Sequence, residues 1–581
     1  MKKLLTLFVF VLSISNIFSQ ATAVDTIRGD VFFTQEATPT GGTKVSTAAS
    51  AITKNTTLTS DKIWILKGFV YVRSGATLTI PAGTIIRGDK GSKAALIVAR
   101  GGKLVAEGTA SRPIIFTSNQ AIGDRRPGDW GGIIILGKAK TNAAFNNVAG
   151  EGQIEGGVDT PDKDGIYGGT DDNDNSGTLK YVRIEYAGVA FVPNSEINGL
   201  TMGGVGKGTK IDYVQVSFSG DDAFEWFGGS VDSKYLVTLG STDDDFDTDN
   251  GFSGRVQFGI SLRDPRYSDV TGNGTTPGDS NGFESDNNAG GNYNQPYTSA
   301  IFSNMTILGV PNAAQPAGQY FNTGARIRRN SRQSIFNSVF MGFPNAGVFV
   351  ENIPTALAAL ADSMRFENNI ISGNGASGGF TSIRNFSTGT GAPTTTAQQW
   401  LTTAIYKNDS AQVASSLLED AFNLTNPKFA PKTGSAALTG AEFTDSYVNS
   451  TYFDKVAFRG AVGPTSTWLN GWTNFNPQQT DYSKLQSAAV GELSADIFSA
   501  KIFPNPALNT ATLSFSVEKD LNLSVKIYDM LGREITSQSN RRYLKGSYSM
   551  DVNVNNLAAG LYLVNFLSEE GQKTMRFSVA K

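Results

Sequence analysis

The residues of this chain that could do chemistry are carboxylates, because the sequence contains neither histidine nor cysteine. A Ser-His-Asp triad, imidazole or thiolate zinc ligands, iron–sulfur clusters and a cysteine nucleophile are therefore excluded. The acids concentrate in three segments with aromatic or amide neighbours, which are 221–227 (DDAFEWF), 243–250 (DDDFDTDN) and 279–288 (DSNGFESDNN). We expect any activity to use these acids, arginine, or a cation bound by oxygen ligands.

Calcium is the cation that the acidic stretches indicate. Oxygen ligands at alternate positions, as in calcium-binding loops, occur at Asp245, Asp247 and Asp249, and again at Asp172 and Asp174. Neither stretch has the pattern of an EF-hand, and a loop rich in Asp and Gly can equally be a solvated turn. We expect calcium as the candidate cofactor, and neither zinc, haem nor a nucleotide.

The spacing of the first two acidic segments gives a second reason to expect a ligand. If the step in sequence from Asp222 to Asp244 is one coil of a solenoid, the two carboxylates lie about 4.8 Å apart. Their repulsion is then about 1 kcal/mol in water and several times larger at a partly buried site. A bound cation, a proton shared between acids, or neighbouring arginines could each offset it.

The same side chains also allow a catalytic interpretation. Two carboxylates about 5 or 10 Å apart resemble the acid–base pairs of glycosidases, and a lyase could instead combine a cation with an arginine base. The catalytic candidates are Asp222, Glu225, Asp244, Asp245, Glu284, Arg326 and Arg328. The candidates for stacking on a sugar ring are Phe224, Trp226 and Phe252. The competing interpretation is that the aromatic rings pack beneath the acids and that the arginines lie in solvent.

The elements that must position these residues are short repeated strands. The pattern that begins at Val72 recurs from Val98, the pattern of 179–188 recurs at 211–220, and that of 301–305 recurs at 335–339. Each repeat has the period-2 pattern of a strand. Such units are too short for crossover helices or propeller blades, so they predict an all-β fold with a right-handed parallel β-helix. Asn304, Ser338 and Asn369 are expected to form a polar ladder at one bend.

Pattern and composition divide the chain into five parts. They are a signal peptide (1–20), a lead-in cap (21–60), the parallel β-helix (61–390), a helical and aromatic-rich closing cap with linker (391–490), and a small antiparallel β-sandwich (491–581). Helices are expected at 354–363 and 395–422. After the signal peptide, no segment approaches the ~20 apolar residues of a membrane span. The net charge of −3 gives no basic field for nucleic acid.

The last part carries the motifs of a known family. Residues 501–515 (KIFPNPALNTATLSF), 525–534 (VKIYDMLGRE) and 556–566 (NLAAGLYLVNF), with a basic terminal strand, resemble the type A C-terminal sorting domain of the type IX secretion system of Bacteroidetes-type bacteria. The sorting residues that this resemblance implies are Pro504, Asn505, Pro506, Gly532, Gly560 and Tyr562. It also implies passage through the periplasm to the cell surface, a translocon as partner, and a surface sortase-like peptidase.

The stretch 60–475 resembles secreted Bacteroidetes proteins with a pectate-lyase-like β-helix, through 128–139 (GDWGGIIILGKA) and 243–259 (DDDFDTDNGFSGRVQFG), among other segments. This resemblance implies a shape and a location without an activity. We therefore expect a secreted or surface-attached protein that binds an extracellular glycan without catalysis. The first alternative is a polysaccharide lyase or glycoside hydrolase, which an open groove with convergent carboxylates and an arginine would favour. The second is a structural or adhesion protein.

Overall fold

The computed structural model describes residues 24–27, 50–192, 195–269, 278–375, 383–410, 412–483, 486, 493, 497–530, 533–568 and 571–581. The predicted signal peptide, most of the predicted lead-in cap and the predicted sorting residue Gly532 lie outside these residues. Within them the chain forms a long parallel solenoid and a C-terminal antiparallel sandwich.

Short strands form the solenoid and the two-stranded antiparallel sheets attached to it. Those of its first half are β1 (Val24–Ile27), β2 (Ser50–Ile52), β3 (Thr56–Thr57), β4 (Ile63–Leu66), β5 (Phe69–Val72), β6 (Thr77–Pro81), β7 (Ile85–Gly88), β8 (Ala95–Val98), β9 (Lys103–Glu107), β10 (Ile114–Ser118), β11 (Gly132–Leu136), β12 (Ala144–Phe145), β13 (Val148–Ala149), β14 (Glu151–Gln153), β15 (Ile166–Gly168), β16 (Gly177–Glu185), β17 (Ala190–Val192) and β18 (Ser195–Glu196). Those that follow are β19 (Leu200–Gly203), β20 (Lys210–Ser217), β21 (Phe224–Phe227), β22 (Ser233–Leu239), β23 (Phe246–Asp249), β24 (Arg255–Leu262), β25 (Phe283–Ser285), β26 (Ile301–Leu308), β27 (Thr323–Ile327), β28 (Ser334–Phe336), β29 (Val339–Met341), β30 (Ala346–Val350), β31 (Phe366–Glu367), β32 (Ile370–Ile371), β33 (Leu418–Asp420) and β34 (Lys428–Pro431).

The strands wind into coils with three sides. One side is a parallel sheet, which we call the ten-stranded sheet, in the order β2, β5, β8, β11, β19, β21, β23, β25, β27 and β30. The long strands β16, β20, β22, β24 and β26 supply the other two sides, because each bends in its middle. The preceding coil shows this division, since its separate strands β9 and β10 pair with the two halves of β16. The predicted all-β fold with a parallel β-helix is confirmed.

The bend in each long strand is a single residue in the left-handed region of backbone space. The bend residues of β16, β20, β22, β24 and β26 have φ between 51° and 64°, and they are Tyr181, Tyr213, Tyr235, Phe258 and Asn304. This conformation costs roughly 1–2 kcal/mol for a residue with a Cβ, and stacking between coils offsets it. The first three rings are 4.4 Å apart from centroid to centroid, and the fourth follows at 5.2 Å. We call these four aromatic residues the corner ladder.

Strand register tests the predicted repeats. The first two recurrences are confirmed, because Val72 pairs with Val98 and Leu179 pairs with Ile211. The third is wrong by one position, because Phe302 is the partner of Ile335 and both side chains point into the core. Asn304 therefore lies out of line with Ser338 and Asn369, and the predicted ladder through all three does not form.

Aromatic rings fill the interior beside the ten-stranded sheet. Phe224 stacks on Phe246 at 5.7 Å, and Trp226 stacks on Phe252 at 5.2 Å, and all four rings are fully buried. The predicted role of Phe224, Trp226 and Phe252 in stacking on sugars is therefore wrong. Successive side chains of a strand point to opposite faces, so these rings point inwards while Glu225 points outwards.

Helical structure is confined to short segments of the described chain. They are α1 (Ile353–Leu360), α2 (Ala397–Leu401) and 3-10 turns at Lys90–Ser92, Pro311–Ala313, Ala404–Tyr406, Ala414–Ser416, Ala436–Leu438 and Pro477–Gln479. The helix predicted at 354–363 is confirmed by α1. The one predicted at 395–422 is mostly wrong, because Lys407 adopts a left-handed φ of 50° and ends the helical turns. No helix in this part of the chain has the length and apolarity needed to cross a membrane.

Residues 441–482, which we call the strap, run along the side of the solenoid, so the predicted closing cap is wrong for this segment. Side-chain amides on different coils hold the strap in place. Gln257 donates to the carbonyl of Asp454 (2.9 Å) and accepts from its N–H (2.8 Å). Gln215 bonds to the backbone of Asn474 in the same reciprocal way, at 2.8 Å for each bond. Each glutamine side-chain amide thus makes the same pair of hydrogen bonds with the strap backbone that a neighbouring strand would make.

The strap ends on the N-terminal coils, where Tyr482 anchors it. The hydroxyl of Tyr482 donates to the buried carboxylate of Glu185 (2.7 Å). The guanidinium groups of Arg125 and Arg183 lie 4.7 and 5.9 Å from the centre of its ring. Arg125 also donates to the carbonyl of Pro477 (2.7 Å). The chain thus returns along the solenoid before it reaches the C-terminal sandwich.

The C-terminal sandwich consists of β35 (Phe498–Phe503), β36 (Thr510–Val517), β37 (Leu521–Asp529), β38 (Glu534–Tyr543), β39 (Gly546–Asn553), β40 (Gly560–Ser568) and β41 (Gly571–Val579). They form two antiparallel sheets, with the orders β35-β36-β39 and β38-β37-β40-β41. Phe498, Phe515 and Phe566 meet between the sheets at 4.7 to 5.9 Å. The predicted small antiparallel sandwich is confirmed.

The interior position of Trp226 predicts a large effect on stability. Trp226→Ala should lower the free energy of unfolding by about 3–5 kcal/mol, because it leaves a cavity in the aromatic core. Urea unfolding followed by circular dichroism measures this change. Tyr293, which is 65% exposed, supplies the control, since Tyr293→Ala should change stability by at most about 0.5 kcal/mol. Equal effects of the two substitutions would contradict the buried placement of Trp226.

Candidate functional site

The outward side of the ten-stranded sheet carries a column of charged residues. Strand register places Glu225, Asp247, Glu284 and Arg326 side by side on four successive coils. Neighbouring strands are about 4.8 Å apart, so each side chain is within reach of the next. We call the outward side of β21, β23 and β25, together with the turns that lead into these strands, the acidic face.

Asp222 and Asp244 lie in the turns before β21 and β23, on adjacent coils as predicted. Asp222 accepts a hydrogen bond from the N–H of Asp244 (2.7 Å), and Asp244 accepts one from the N–H of Asn281 on the following coil (2.6 Å). The two aspartates are only 7% and 4% exposed. Each carboxylate therefore links its own coil to the next one, which gives these acidic turns a structural role as well.

Two groups of three carboxylates form on the acidic face. Asp222, Glu225 and Asp247 each present an oxygen within 4.8 Å of the other two, and we call them the carboxylate triad. Asp221, Asp222 and Asp243 form a second such group. Oxygen atoms bound to one Ca²⁺ at 2.3–2.6 Å can be at most about 5 Å apart. Each group therefore matches the size of a calcium coordination shell.

A further carboxylate, Glu155, comes from the long loop between β14 and β15. The side-chain amide of Asn198 donates to Glu155 (3.2 Å) and also to Glu225. Asn198 thereby holds the two glutamates together at the edge of the triad. Neither Glu155 nor Asn198 is predicted from the sequence. Nothing distinguishes Glu155 from the other acids of its loop until the fold places that loop beside β21.

Burial and like charge raise the pKa of the carboxyl groups on the acidic face. Burial is the largest cause for Asp247, whose pKa rises to about 6, for Glu155, about 7, and for Asp244, about 8. The pKa values of Glu225 and Asp222 are raised well above their usual range by burial and then by neighbouring carboxylates. Without a cation, several of these groups therefore hold protons at neutral pH.

The arginine candidates neutralise the next coils rather than the triad. Arg328 forms ion pairs with Glu284 and with Asp286 (2.8 Å), and Arg326 pairs with Glu351 (2.7 Å). Arginine neighbours therefore offset the repulsion at one end of the charged column. At the triad itself, this leaves shared protons or a cation to do so.

Asp245 does not lie with the other candidates. Its carboxylate is fully buried, accepts a hydrogen bond from Thr238 (2.7 Å), and pairs at 2.8 Å with Arg263, which is also fully buried. The expected roles of Asp245 as a calcium ligand or catalytic acid are therefore wrong. Asp245 lies in the turn just before β23, where its side chain points into the solenoid, whereas alternation within the strand places Asp247 and Asp249 on the outward side.

The other predicted metal ligands mostly have protein partners. The partners are Asn250 for Asp249, Lys140 for Asp172 and Ser176 for Asp174. Among the described residues, Asp247 is the one predicted ligand that belongs to either group of three carboxylates. The oxygen Oδ1 of Asp247 is buried, and no described residue donates a hydrogen bond to it.

Among the predicted sorting residues, Asn505 makes the most specific contacts. Its side-chain oxygen accepts hydrogen bonds from the N–H and the hydroxyl of Ser578, at 2.9 Å each. This fastens the loop before β36 to the last strand, β41. The other described sorting residues are Pro504 and Pro506 in the same loop, Gly560 at the start of β40, and the buried Tyr562.

A three-sided parallel solenoid with an acidic outward sheet and a C-terminal sandwich defines a β-helix protein. Comparison with protein families agrees, and the chain belongs to the family of the pectate-lyase like beta helix domain, whose model matches residues 50–473. Residues 501–580 match the secretion system C-terminal sorting domain. This domain indicates secretion to the cell surface by the type IX system, whose machinery is therefore a partner. No curated protein matches the chain.

Three solved structures show a distant likeness. Tailspike protein 2 from Escherichia coli O157:H7 bacteriophage CAB120 is 10% identical with a TM-score of 0.20, over 93% of this chain and 66% of that one. The tailspike gp49 of Acinetobacter baumannii bacteriophage Fri1, a capsular polysaccharide depolymerase, is 10% identical with a TM-score of 0.15, over 87% and 73%. The catalytic domain of a GH87 alpha-1,3-glucanase in complex with nigerose is 14% identical with a TM-score of 0.14, over 56% and 53%. Such low scores carry no argument about activity.

The raised pKa values predict that the cation-free protein loses stability as the pH rises. In the folded state these groups keep protons that the unfolded chain releases near pH 4. The free energy of unfolding therefore falls as the pH rises from about 4 through the folded pKa values of about 6 to 8. The melting temperature in EDTA should therefore fall between about pH 5 and about pH 8.5, and Glu225→Gln should reduce the fall. Glu518→Gln in the sandwich is the control, and a flat profile would contradict the prediction.

Proposed function

We propose that this secreted β-helix protein binds an acidic extracellular glycan on its acidic face, through a calcium ion held by the carboxylate triad. The observation that carries the proposal is the convergence of Asp222, Glu225 and Asp247 from two adjacent coils, with oxygens within 4.8 Å of one another. Glycan binding and calcium are both expectations from the sequence, and the geometry of the triad supports the proposal that joins them.

A calcium ion relieves the main electrostatic conflict of the face. Two carboxylates about 4 Å apart repel by about 1 kcal/mol in water and about 4 kcal/mol at the effective dielectric of a protein surface. A divalent cation replaces that repulsion with attraction to all three members of the triad. The buried Oδ1 of Asp247, to which no described residue donates a hydrogen bond, supports this role.

The ion would keep positions open for a ligand. Calcium takes six to eight oxygen ligands, and three carboxylates bound through one oxygen each supply only half of the smaller number. Asp247 is half-buried, so an ion beside it faces solvent. Carboxylate and hydroxyl oxygens of a glycan are suitable further ligands. Without the ion, the acidic face repels a polyanion, so binding depends on calcium.

The spacing of the triad favours cation binding over hydrolysis. The two carboxyl groups of a retaining glycosidase are about 5–5.5 Å apart, and those of an inverting one are about 6.5–9.5 Å apart. The triad oxygens, all within 4.8 Å of one another, fit around one ion and leave no room for the water that an inverting enzyme places between its two acids. The arginines that a lyase could use as a base are already paired with acids.

Hydrolysis of the same glycan is a second candidate function, and the pKa values of two neighbouring acids favour it. With a pKa of about 6, Asp247 is mostly ionised at pH 7, whereas Asp244, with a pKa of about 8, is mostly protonated. These are the states of a general base and a general acid. Both residues approach the face from the same coil.

Calcium should stabilise the protein through the triad. At a concentration about 100 times its dissociation constant, it should add about 2.7 kcal/mol to the free energy of unfolding, seen as a higher melting temperature that EDTA reverses. Asp222→Asn should abolish the shift while keeping an oxygen to accept the bond from Asp244. Asp172→Asn is the matched control and should keep the shift, because Asp172 pairs with Lys140. A wild-type melting temperature that does not change with calcium would rule out the site.

Binding and hydrolysis are separated by one assay on two acidic polysaccharides. Calorimetry measures the binding of polygalacturonate and of alginate. At least one of them should bind in the presence of calcium and not in the presence of EDTA, and the Asp222→Asn variant should not bind it. Reducing-end and unsaturated-product assays on the same mixtures test catalysis. Binding without product would exclude hydrolysis, whereas product that disappears with Asp247→Asn would establish it. Absence of both would refute the proposed function.

A further inference from the structure

A cavity of about 530 Å³ lies between the corner ladder and the strap. The ladder stands where the two halves of the long strands meet, so in the three-sided coil it is the corner opposite the ten-stranded sheet. The cavity is therefore on the far side of the solenoid from the acidic face, and no residue of that face lines it. Its aromatic walls are Tyr181, Tyr213, Tyr235, Phe258, Phe458 and Trp468.

The residue type at the corner decides where the cavity opens. On the later coils the corner residues are asparagines, and their amides bond directly to the strap. Asn304 donates to the carbonyl of Phe458 (2.9 Å), and Asn337 exchanges two bonds with the backbone of Glu442 (3.0 and 2.9 Å). On the earlier coils stacked rings replace these amides, and the strap turn at residues 465–470 faces them across the cavity.

Polar groups accompany the aromatic walls. The rings of Tyr181, Tyr213 and Tyr235 stack in one column, which places a row of hydroxyls along the ladder, and the hydroxyl of Tyr235 donates to Asp454 (3.5 Å). The strap adds the exposed side chains of Thr465, Thr467 and Asn470. Because the ladder rings stack on one another, they line the cavity with their apolar edges. The cavity thus combines apolar ring edges with hydroxyl and amide groups that can both donate and accept.

The lining carries no unpaired charge. Asp454 is its charged member, and the carboxylate forms an ion pair with Lys234 at 2.9 Å. An ionic ligand would therefore find no counter-charge here, and burial of a charge without a partner is strongly unfavourable. A wholly apolar ligand would cover the hydroxyl row without satisfying it, which is also unfavourable. The lining selects a neutral ligand with both apolar and hydroxyl-bearing surfaces.

We infer that this cavity is a second ligand site, which binds a neutral sugar unit of a glycan. A sugar ring has apolar C–H faces and a rim of hydroxyls, which match the aromatic walls and the polar groups described above. The volume falls within the range of about 300–1,000 Å³ that is usual for small-molecule sites. This site needs no cation, and it does not rest on the proposed function of the acidic face.

Calorimetry with the full chain in EDTA tests the site, using maltopentaose, cellopentaose and mannopentaose as probes. At least one of them should bind, and Tyr213→Phe should weaken that binding about tenfold, because it removes one hydroxyl and keeps the stacked ring. Tyr186→Phe is the matched control, since Tyr186 stacks in the same manner on Phe218 (5.4 Å) at another bend and does not line the cavity. Glu225→Gln should leave the affinity unchanged, which separates this site from the acidic face.

A crystal structure with the bound oligosaccharide gives a readout that does not depend on a variant's stability. Sugar density against the corner ladder and the strap turn at residues 465–470 is the expected result, whereas density only on the acidic face would overturn the inference. It is also overturned if none of the three probes binds, or if Tyr213→Phe binds as tightly as the wild type with an unchanged melting temperature.

Discussion

Stacking of coils at about 4.8 Å is the constraint on which the rest of this structure depends. It places residues of equal position in columns, so that each column repeats one kind of interaction many times. Columns of aromatic rings gain from this, at about 0.5–1.5 kcal/mol for each well-placed pair. In a column of carboxylates the same spacing causes electrostatic repulsion, which is unfavourable. The fold therefore makes its own core stable and its own acidic face costly, and the two effects cannot be separated.

The charged column shows how the protein manages that cost. Along the axis the outward residues run from Glu225 through Asp247 and Glu284 to Arg326, so the sign of the charge reverses within four coils. Where arginines are near, ion pairs form and offset part of the repulsion. At the triad no described arginine forms an ion pair, and burial together with like charge raises the pKa of Glu225 and Asp222. A feature that costs the folded protein stability is thus the same feature on which the proposed cation site rests.

Sequence patterns determined the fold well because strands of one type repeat, and alternation together with two of the three recurrences gave the correct register. The sequence patterns failed at individual positions, where they did not show on which side of the strand a side chain lies. The sequence pattern predicts Asp245 and Asp247 alike as calcium ligands, yet Asp245 lies in the turn before β23 and pairs with Arg263 inside the solenoid, whereas Asp247 lies on the strand and belongs to the triad. Glu155 could not be predicted, because it lies on a loop that is distant in sequence from the acidic segments and reaches the triad only in the folded structure. Trp226 shows the converse error, in which a plausible sugar-stacking ring is part of the core.

The strap has a mechanical meaning. Its far end is fixed by Tyr482 on the N-terminal coils, so a force applied through the C-terminal sandwich enters the solenoid there rather than at its last coil. The reciprocal amide bonds of Gln215 and Gln257 with the strap come under load only after the contacts of Tyr482 have broken. A protein held at one end by an export machine is thereby protected against unravelling from the end at which a solenoid is weakest.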